Sequence, residues 1–214
     1  VPSDALPEDR RASLQSALAE LRASMLAKAD FPEGQMAIGG LAMAIRNWDA
    51  AQAAFAEASF MDPQLVEAWT TRARIAAALG DVGEATAILT AAREKNPDNP
   101  EIASQLSQTL LSQGRARDAV PLLRAVLATR PDDRETRLML ATALLQTGDL
   151  MAAGVEIDRL RQVDPTRAEV LVLQGLRQVF ANDLAGARET VAELRQRYPL
   201  LRLPPQLEAI SRSP

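Results

Sequence analysis

The chain has 214 residues, 47% of them hydrophobic but only 3% aromatic, and a formal net charge of −4. It has no Cys and no His, which excludes disulfides, thiolate or imidazole metal sites, covalent c-type haem attachment and any His-based acid–base mechanism within these residues. The acidic balance argues against nucleic acid or an anionic membrane surface as the main partner, and no apolar run approaches the roughly 20 residues of a membrane-spanning helix.

Ala and Leu carry the burial that aromatics do not, and both favour helix because they lose little side-chain entropy in one. The chain begins at Val1 rather than Met, which reads as an excised or processed form. Residues 8–29 bear an apolar stripe at helical spacing, Leu14, Leu18, Leu21 and Met25. Ala17 precedes Ala51 by the same interval as Leu21 precedes Phe55, and that interval recurs through the rest of the chain. Residues 1–31 are therefore expected to form an N-terminal capping helix, the second half of a degenerate repeat.

The interval is a period of 34. Pro63, Pro97, Pro131, Pro165 and Pro199 step by 34, as do Ala51, Ala85, Ala119, Ala153 and Ala187. Gly80, Gly114 and Gly148 form a third comb, continued by Asn182, which tolerates a left-handed backbone. Each class has a physical role. The Gly ends one helix at positive φ, the Ala lies where two helices cross closely, and the Pro stops the second helix. Asp98, Asp132 and Thr166, just past the Pro, are expected to cap the next helix. Each unit thus reads helix, tight turn, helix, Pro, in five repeats at 32–65, 66–99, 100–133, 134–167 and 168–201. Residues 202–214, with "PPQLEAIS", read as a short C-terminal cap that hides an otherwise exposed end.

This pattern resembles the tetratricopeptide-repeat family. Unit 66–99 supplies Trp69, Gly80, Ala85, Ala92 and Pro97, and unit 32–65 supplies Gly39, Ala51, Phe55, Ala58 and Pro63. Arg46 in place of the turn Gly, and Arg72-Ala73 in place of Leu-Gly, are departures. The resemblance implies an all-α, right-handed superhelical solenoid of antiparallel helix pairs, with the first helix of each pair lining a concave groove. Carried onto this sequence, the groove residues are Thr70, Arg74, Ser104, Gln108, Leu111, Leu138, Thr142, Leu145, Val172, Leu176 and Val179. They turn apolar towards the C-terminus, which suits an apolar or amphipathic peptide segment.

Glu33, Glu67, Glu101, Glu135 and Glu169 recur at the second position of every unit. An acidic ladder for a basic partner is one reading; first-turn acids complementing the helix macrodipole is the simpler one. The carboxylate clamp by which related domains grip chaperone C-termini needs Lys, Arg and Asn where this chain has Glu, so that function is not expected. Trp48, Trp69, Phe31, Phe55 and Phe60 fall in the first third and are read as core packing rather than a stacking platform. No nucleophile–base pair, metal cluster or phosphate loop can be assembled, so no enzyme activity, cofactor or metal is expected.

"LPEDRRASLQSALAEL", "ADFPEGQMAIGGLA" and "FMDPQLVEAW" also resemble the C-terminal tetratricopeptide region of bacterial multihaem cytochrome c family proteins. That resemblance implies a periplasmic interaction module of an electron-transfer or cytochrome-assembly protein. The functional expectation is a non-catalytic protein- or peptide-binding scaffold. The alternatives are a self-associating assembly scaffold and an accessory domain of a larger enzyme.

Overall fold

The computed structural model describes residues 30–212 together with Ser16, so the expected N-terminal capping helix lies outside the described residues. Among the described residues the regular structure is entirely helical: α1 (Pro32–Ala44), α2 (Trp48–Met61), α3 (Val66–Ala78), α4 (Val82–Lys95), α5 (Pro100–Ser112), α6 (Ala116–Thr129), α7 (Arg134–Thr147), α8 (Leu150–Val163), α9 (Ala168–Phe180), α10 (Leu184–Arg197) and α11 (Pro205–Arg212). The odd-numbered helices α1 to α9 start one period apart, and so do the even-numbered ones from α2 to α10. The period seen in single residues is therefore a period of whole helix pairs.

The Ala comb explains how the pairs close. Ala51, Ala85, Ala119, Ala153 and Ala187 are each 0% exposed, one per second helix, where any larger side chain would separate the helices. The turn comb is more complete than its glycines. Arg46 (φ 58°), Gly80 (φ 90°), Gly114 (φ 72°), Gly148 (φ 81°) and Asn182 (φ 59°) all adopt the left-handed conformation. In each turn the following N–H bonds back to the first helix, as in Asp149 N to Leu144 O at 2.9 Å and Asn47 N to Ala42 O at 2.8 Å, closing the C-terminus. Arg46 thus fills the glycine's role despite its Cβ.

The residue after that turn starts the next helix and forms a further comb. Asn47, Asp81, Asp149 and Asp183 each accept a hydrogen bond from the backbone N–H three residues on, at 2.8–3.2 Å. Arg115 occupies the same place before α6 and makes no such cap. After the Pro comb, the capping side chain sits one residue later than expected. Asn99, not Asp98, accepts from Glu101 N and Ile102 N, and Asp133, not Asp132, accepts from Thr136 N. The residue before α9 is Arg167 rather than Thr166, and its side chain does not cap. The Pro-Asp and Pro-Thr pairs belong to the turn, and the chain must advance one further residue before the helical N–H groups converge.

Replacing Arg115 with Asn should supply the missing cap. Urea unfolding of Arg115→Asn is expected to show about 1 kcal/mol of added stability. The exposed Arg115–Asp118 pair lost in the exchange, 2.8 Å apart, offsets little of that.

The chain divides into two compact units that meet in sequence at Ile102 and Ala103. In the first, Ala42, Ala51, Phe55 and Ile75 form a core against which Met36, Met43 and Ala50 pack. The Phe55 ring lies over Gly39, where an added Cβ would stand 2.7 Å from ring carbons. The core expectation holds for Phe55, and Trp69 is half-buried with its indole N–H donating to Pro63 O at 3.1 Å. It does not hold for Phe31 (60% exposed) or Phe60 (80% exposed), while Trp48 is 36% exposed. Phe60 falls outside the face of α2 that carries Ala51, Ala54, Phe55 and Ala58.

In the second unit Leu171, Val191, Leu194, Leu203 and Leu207 form a core with contributions from α9, α10 and the C-terminal arm. Here α11 packs against α9, and the Leu207 side chain lies 3.1 Å from the Cβ position of Gly175. Arg195 pairs with Glu208 and donates to Leu201 O at 3.2 Å, fixing the arm to α10.

Candidate functional site

The second unit contains an open cleft of about 440 Å³ between α7 and α9, reached by Leu111 of α5. Its position follows from the helix periodicity. Leu138 and Thr142 on α7, and Val172 on α9, lie one turn apart or on the same register in successive units, so they face the same space. Leu138 is buried, and half-buried Val172, Thr142 and Leu111 complete an apolar surface with one hydroxyl. That hydroxyl is already satisfied, because it donates to Leu138 O at 2.9 Å within its own helix. Leu201, from the segment before α11, closes one wall.

The rim is charged. Arg167 bridges two members of the Glu series, donating to Glu135 at 2.8 Å and to Glu169 at 3.1 Å. The two acids raise the arginine above its ordinary value, Glu135 more than Glu169. The Glu169 carboxyl is lowered, first by its own backbone N–H at the start of α9 and further by Arg167, with burial opposing both. First-turn placement thus accounts for part of the lowering at Glu169, and an arginine that bridges two successive repeats for the rest. Because Glu169 titrates lower folded than unfolded, the stability it contributes is present above the ordinary carboxylate value and lost as pH falls through the folded one. A Glu169→Gln variant is expected to lose less stability than wild type between pH 5 and about pH 3, measured by urea midpoints across that range.

Of the eleven residues expected to line a groove, the structure brings Leu111, Leu138, Thr142 and Val172 together around this cleft. The other residues lie elsewhere. Ser104 is hydrogen-bonded to Thr136 across α5 and α7 at 3.3 Å, and Gln108 is exposed on α5. Leu145 is buried. Leu176 and Val179 pack against the core that the C-terminal arm completes. Thr70 is buried in the first unit, and Arg74 is exposed there beside a second cleft. Periodicity placed all of these on one helix stripe, but it carries no information on which part of that stripe a terminal arm covers. Met139, Leu173 and the Arg167 bridge were missed, because Arg167 lies before the helix and breaks the run of residues at that position.

Among the described residues there is no group of three or more Asp or Glu placed to hold a metal ion, and no helix long and apolar enough to cross a membrane.

No curated protein matches the chain. Solved structures do. YrrB, a TPR protein with an unusual peptide-binding site, is similar at 17% identity with a TM-score of 0.75, over 88% of this chain and 96% of YrrB. MamA from Desulfovibrio magneticus RS-1 is similar at 18% identity and a TM-score of 0.68, over 85% of this chain and 97% of that one. PilW, a widely conserved type IV pilus biogenesis factor, is similar at 18% and 0.65, over 94% of this chain and 92% of PilW. At these identities the likeness is one of fold. The tetratricopeptide-repeat model matches residues 42–109, 76–120 and 110–176, which together run over more than half of the sequence. With its helix pairs recurring at one fixed period, the chain belongs to the tetratricopeptide-repeat family, an all-α solenoid class of protein-interaction scaffolds.

Proposed function

We propose that the chain is a peptide-binding scaffold whose cleft between α7 and α9 takes an apolar side chain of an extended or amphipathic segment. The supporting observation is the pairing of an apolar floor, Leu138 and Val172, with the Glu135–Arg167–Glu169 rim around one open space of about 440 Å³. Apolar anchors in a preformed pocket dominate the energy of such interfaces, and polar groups at the rim set register. With two carboxylates to one guanidinium, the rim favours a ligand carrying a Lys or Arg beside its apolar anchor. A peptide-binding relative of the same fold, YrrB, agrees with this reading. The resemblance to the multihaem cytochrome c region supports a periplasmic setting and a partner in cytochrome assembly or electron transfer.

The test is a display selection of random dodecapeptides on the wild-type chain and on Thr142→Arg, a change at a half-buried residue that fills the cleft. Selected peptides are expected to share a bulky apolar residue near a basic one and to lose at least about tenfold in affinity for Thr142→Arg. Peptides that bind the folded variant equally well would remove the cleft from the function. Concentration-dependent sedimentation of the chain alone would instead favour a self-associating scaffold.

A further inference from the structure

The first unit holds a second cleft, of about 380 Å³, between the ends of α1 and α3 and the start of α2. Its walls are apolar: Met43, Trp48, Ile75 and Leu79. Leu79 and Trp48 are both substantially exposed, at 55% and 36%, so apolar surface is left facing solvent on both sides of one concavity. Among the described residues its one charged side chain is Arg74. The Arg74 guanidinium is steadied by the Thr71 hydroxyl, to which one Nη donates at 3.1 Å, and among the described residues it has no ion-pair partner. The Trp48 indole N–H likewise has no acceptor among them, in contrast to Trp69, whose N–H is bonded to Pro63 O. Among the described residues no Asp or Glu lines the cleft.

The cleft therefore presents unspent donors around an apolar bed, the opposite polarity to the rim with two acids in the second unit. We infer that it is a separate recognition site for a peptide segment in which a bulky apolar side chain adjoins an Asp or Glu. The apolar side chain fills the space between Trp48, Ile75 and Leu79, where aromatic and aliphatic walls contribute most. The neighbouring carboxylate accepts from Arg74, whose planar guanidinium can bind it through two parallel hydrogen bonds, and the indole N–H serves a ligand carbonyl. A guanidinium already oriented by Thr71 loses less freedom on binding than a free one. A cleft of about 380 Å³ has room for one large side chain and its flanking backbone.

The test uses the full ¹⁵N-labelled chain and three heptapeptides blocked at both ends, identical except that the two residues flanking a central Leu are Glu, Gln or Lys. The indole N–H signals of Trp48 and Trp69 are told apart with Trp48→Phe. The Glu peptide is expected to shift the Trp48 signal saturably and to bind at least about tenfold tighter than the Gln peptide, with the Lys peptide weakest. Arg74→Gln, a change at an exposed residue, should erase the preference for Glu over Gln. Thr142→Arg should leave the Trp48 response intact, so failure of this site and failure of the α7/α9 cleft are read separately. Equal affinity for Glu and Gln peptides, a preference for Lys, or no Trp48 shift at millimolar peptide would each overturn the assignment.

Discussion

Phe55→Ala is expected to lower the stability of the first unit by about 3–5 kcal/mol, read from urea unfolding followed by circular dichroism. Among the described residues Phe55 is the one large aromatic side chain buried to 2% exposure, in a core otherwise built of Ala and Ile. Its removal leaves a cavity that Ala42 and Ala51 are too short to fill. The partner that makes room for the ring is Gly39, in the middle of α1, where glycine costs a helix roughly 1 kcal/mol relative to Ala. A Cβ there would meet the ring at 2.7 Å, so Gly39→Ala alone should be destabilising or neutral, the steric cost of about 1–3 kcal/mol outweighing or cancelling the helical gain. In the Phe55→Ala background the obstacle is gone, and the same change should stabilise by up to about 1 kcal/mol. The change of sign is the diagnostic result. A Gly39→Ala effect that is the same in both backgrounds would mean that the ring and the glycine are not coupled.

Leu207→Ala is expected to cost the second unit about 2–5 kcal/mol and to loosen the C-terminal arm from α9. α11 has eight residues, too few to be helical on their own, so its order depends on what it packs against. Leu207 is wholly buried there, beside Leu171, Val191 and Leu194, over the bare backbone of Gly175. When that anchor shrinks, Leu176 and Val179 lose their cover. Hydrogen exchange should accelerate across α11 first, and binding of a hydrophobic dye should rise relative to wild type. If exchange in α11 stays as slow as in wild type, the arm is held by Leu203 and the Arg195–Glu208 pair instead.

The fold was legible because the period is written in residues with narrow tolerances. An Ala with no room for more, a left-handed turn residue and a helix-stopping Pro each leave a mark at fixed spacing, and the helices start on that spacing. Even the departure at Arg46 obeys it, since the surrounding turn forces φ to 58° on a residue that does not prefer it. The N-cap series one residue beyond the turn comb, Asn47, Asp81, Asp149 and Asp183, emerges only in the structure, and Arg115 interrupts it. The functional stripe was legible only in part. Spacing puts Val172, Leu176 and Val179 on one face of α9, and all three pack against the core that the C-terminal arm completes, yet only Val172 also reaches the cleft. The arm's return depends on contacts remote in sequence, as does the Arg167 bridge between two acids one full repeat apart.

The hydrogen bonds between successive loops bear on how such a chain can grow or shrink by recombination. Asn96 donates from the end of α4 back to Pro63 O at 2.8 Å, and Tyr198 donates from the end of α10 back to Thr166 O at 2.7 Å. Both donors stand at the same place in the period, but Asp62, Arg130 and Asp164 share that place and differ in size and charge. A deletion of residues 64–97 keeps every helix in phase and still delivers Arg130 where Asn96 stood. The repeats are alike as shapes and distinct as neighbours. Gene-level shuffling of this array would preserve the scaffold while leaving loop carbonyls to find new partners, which ties each repeat to its present order in the chain.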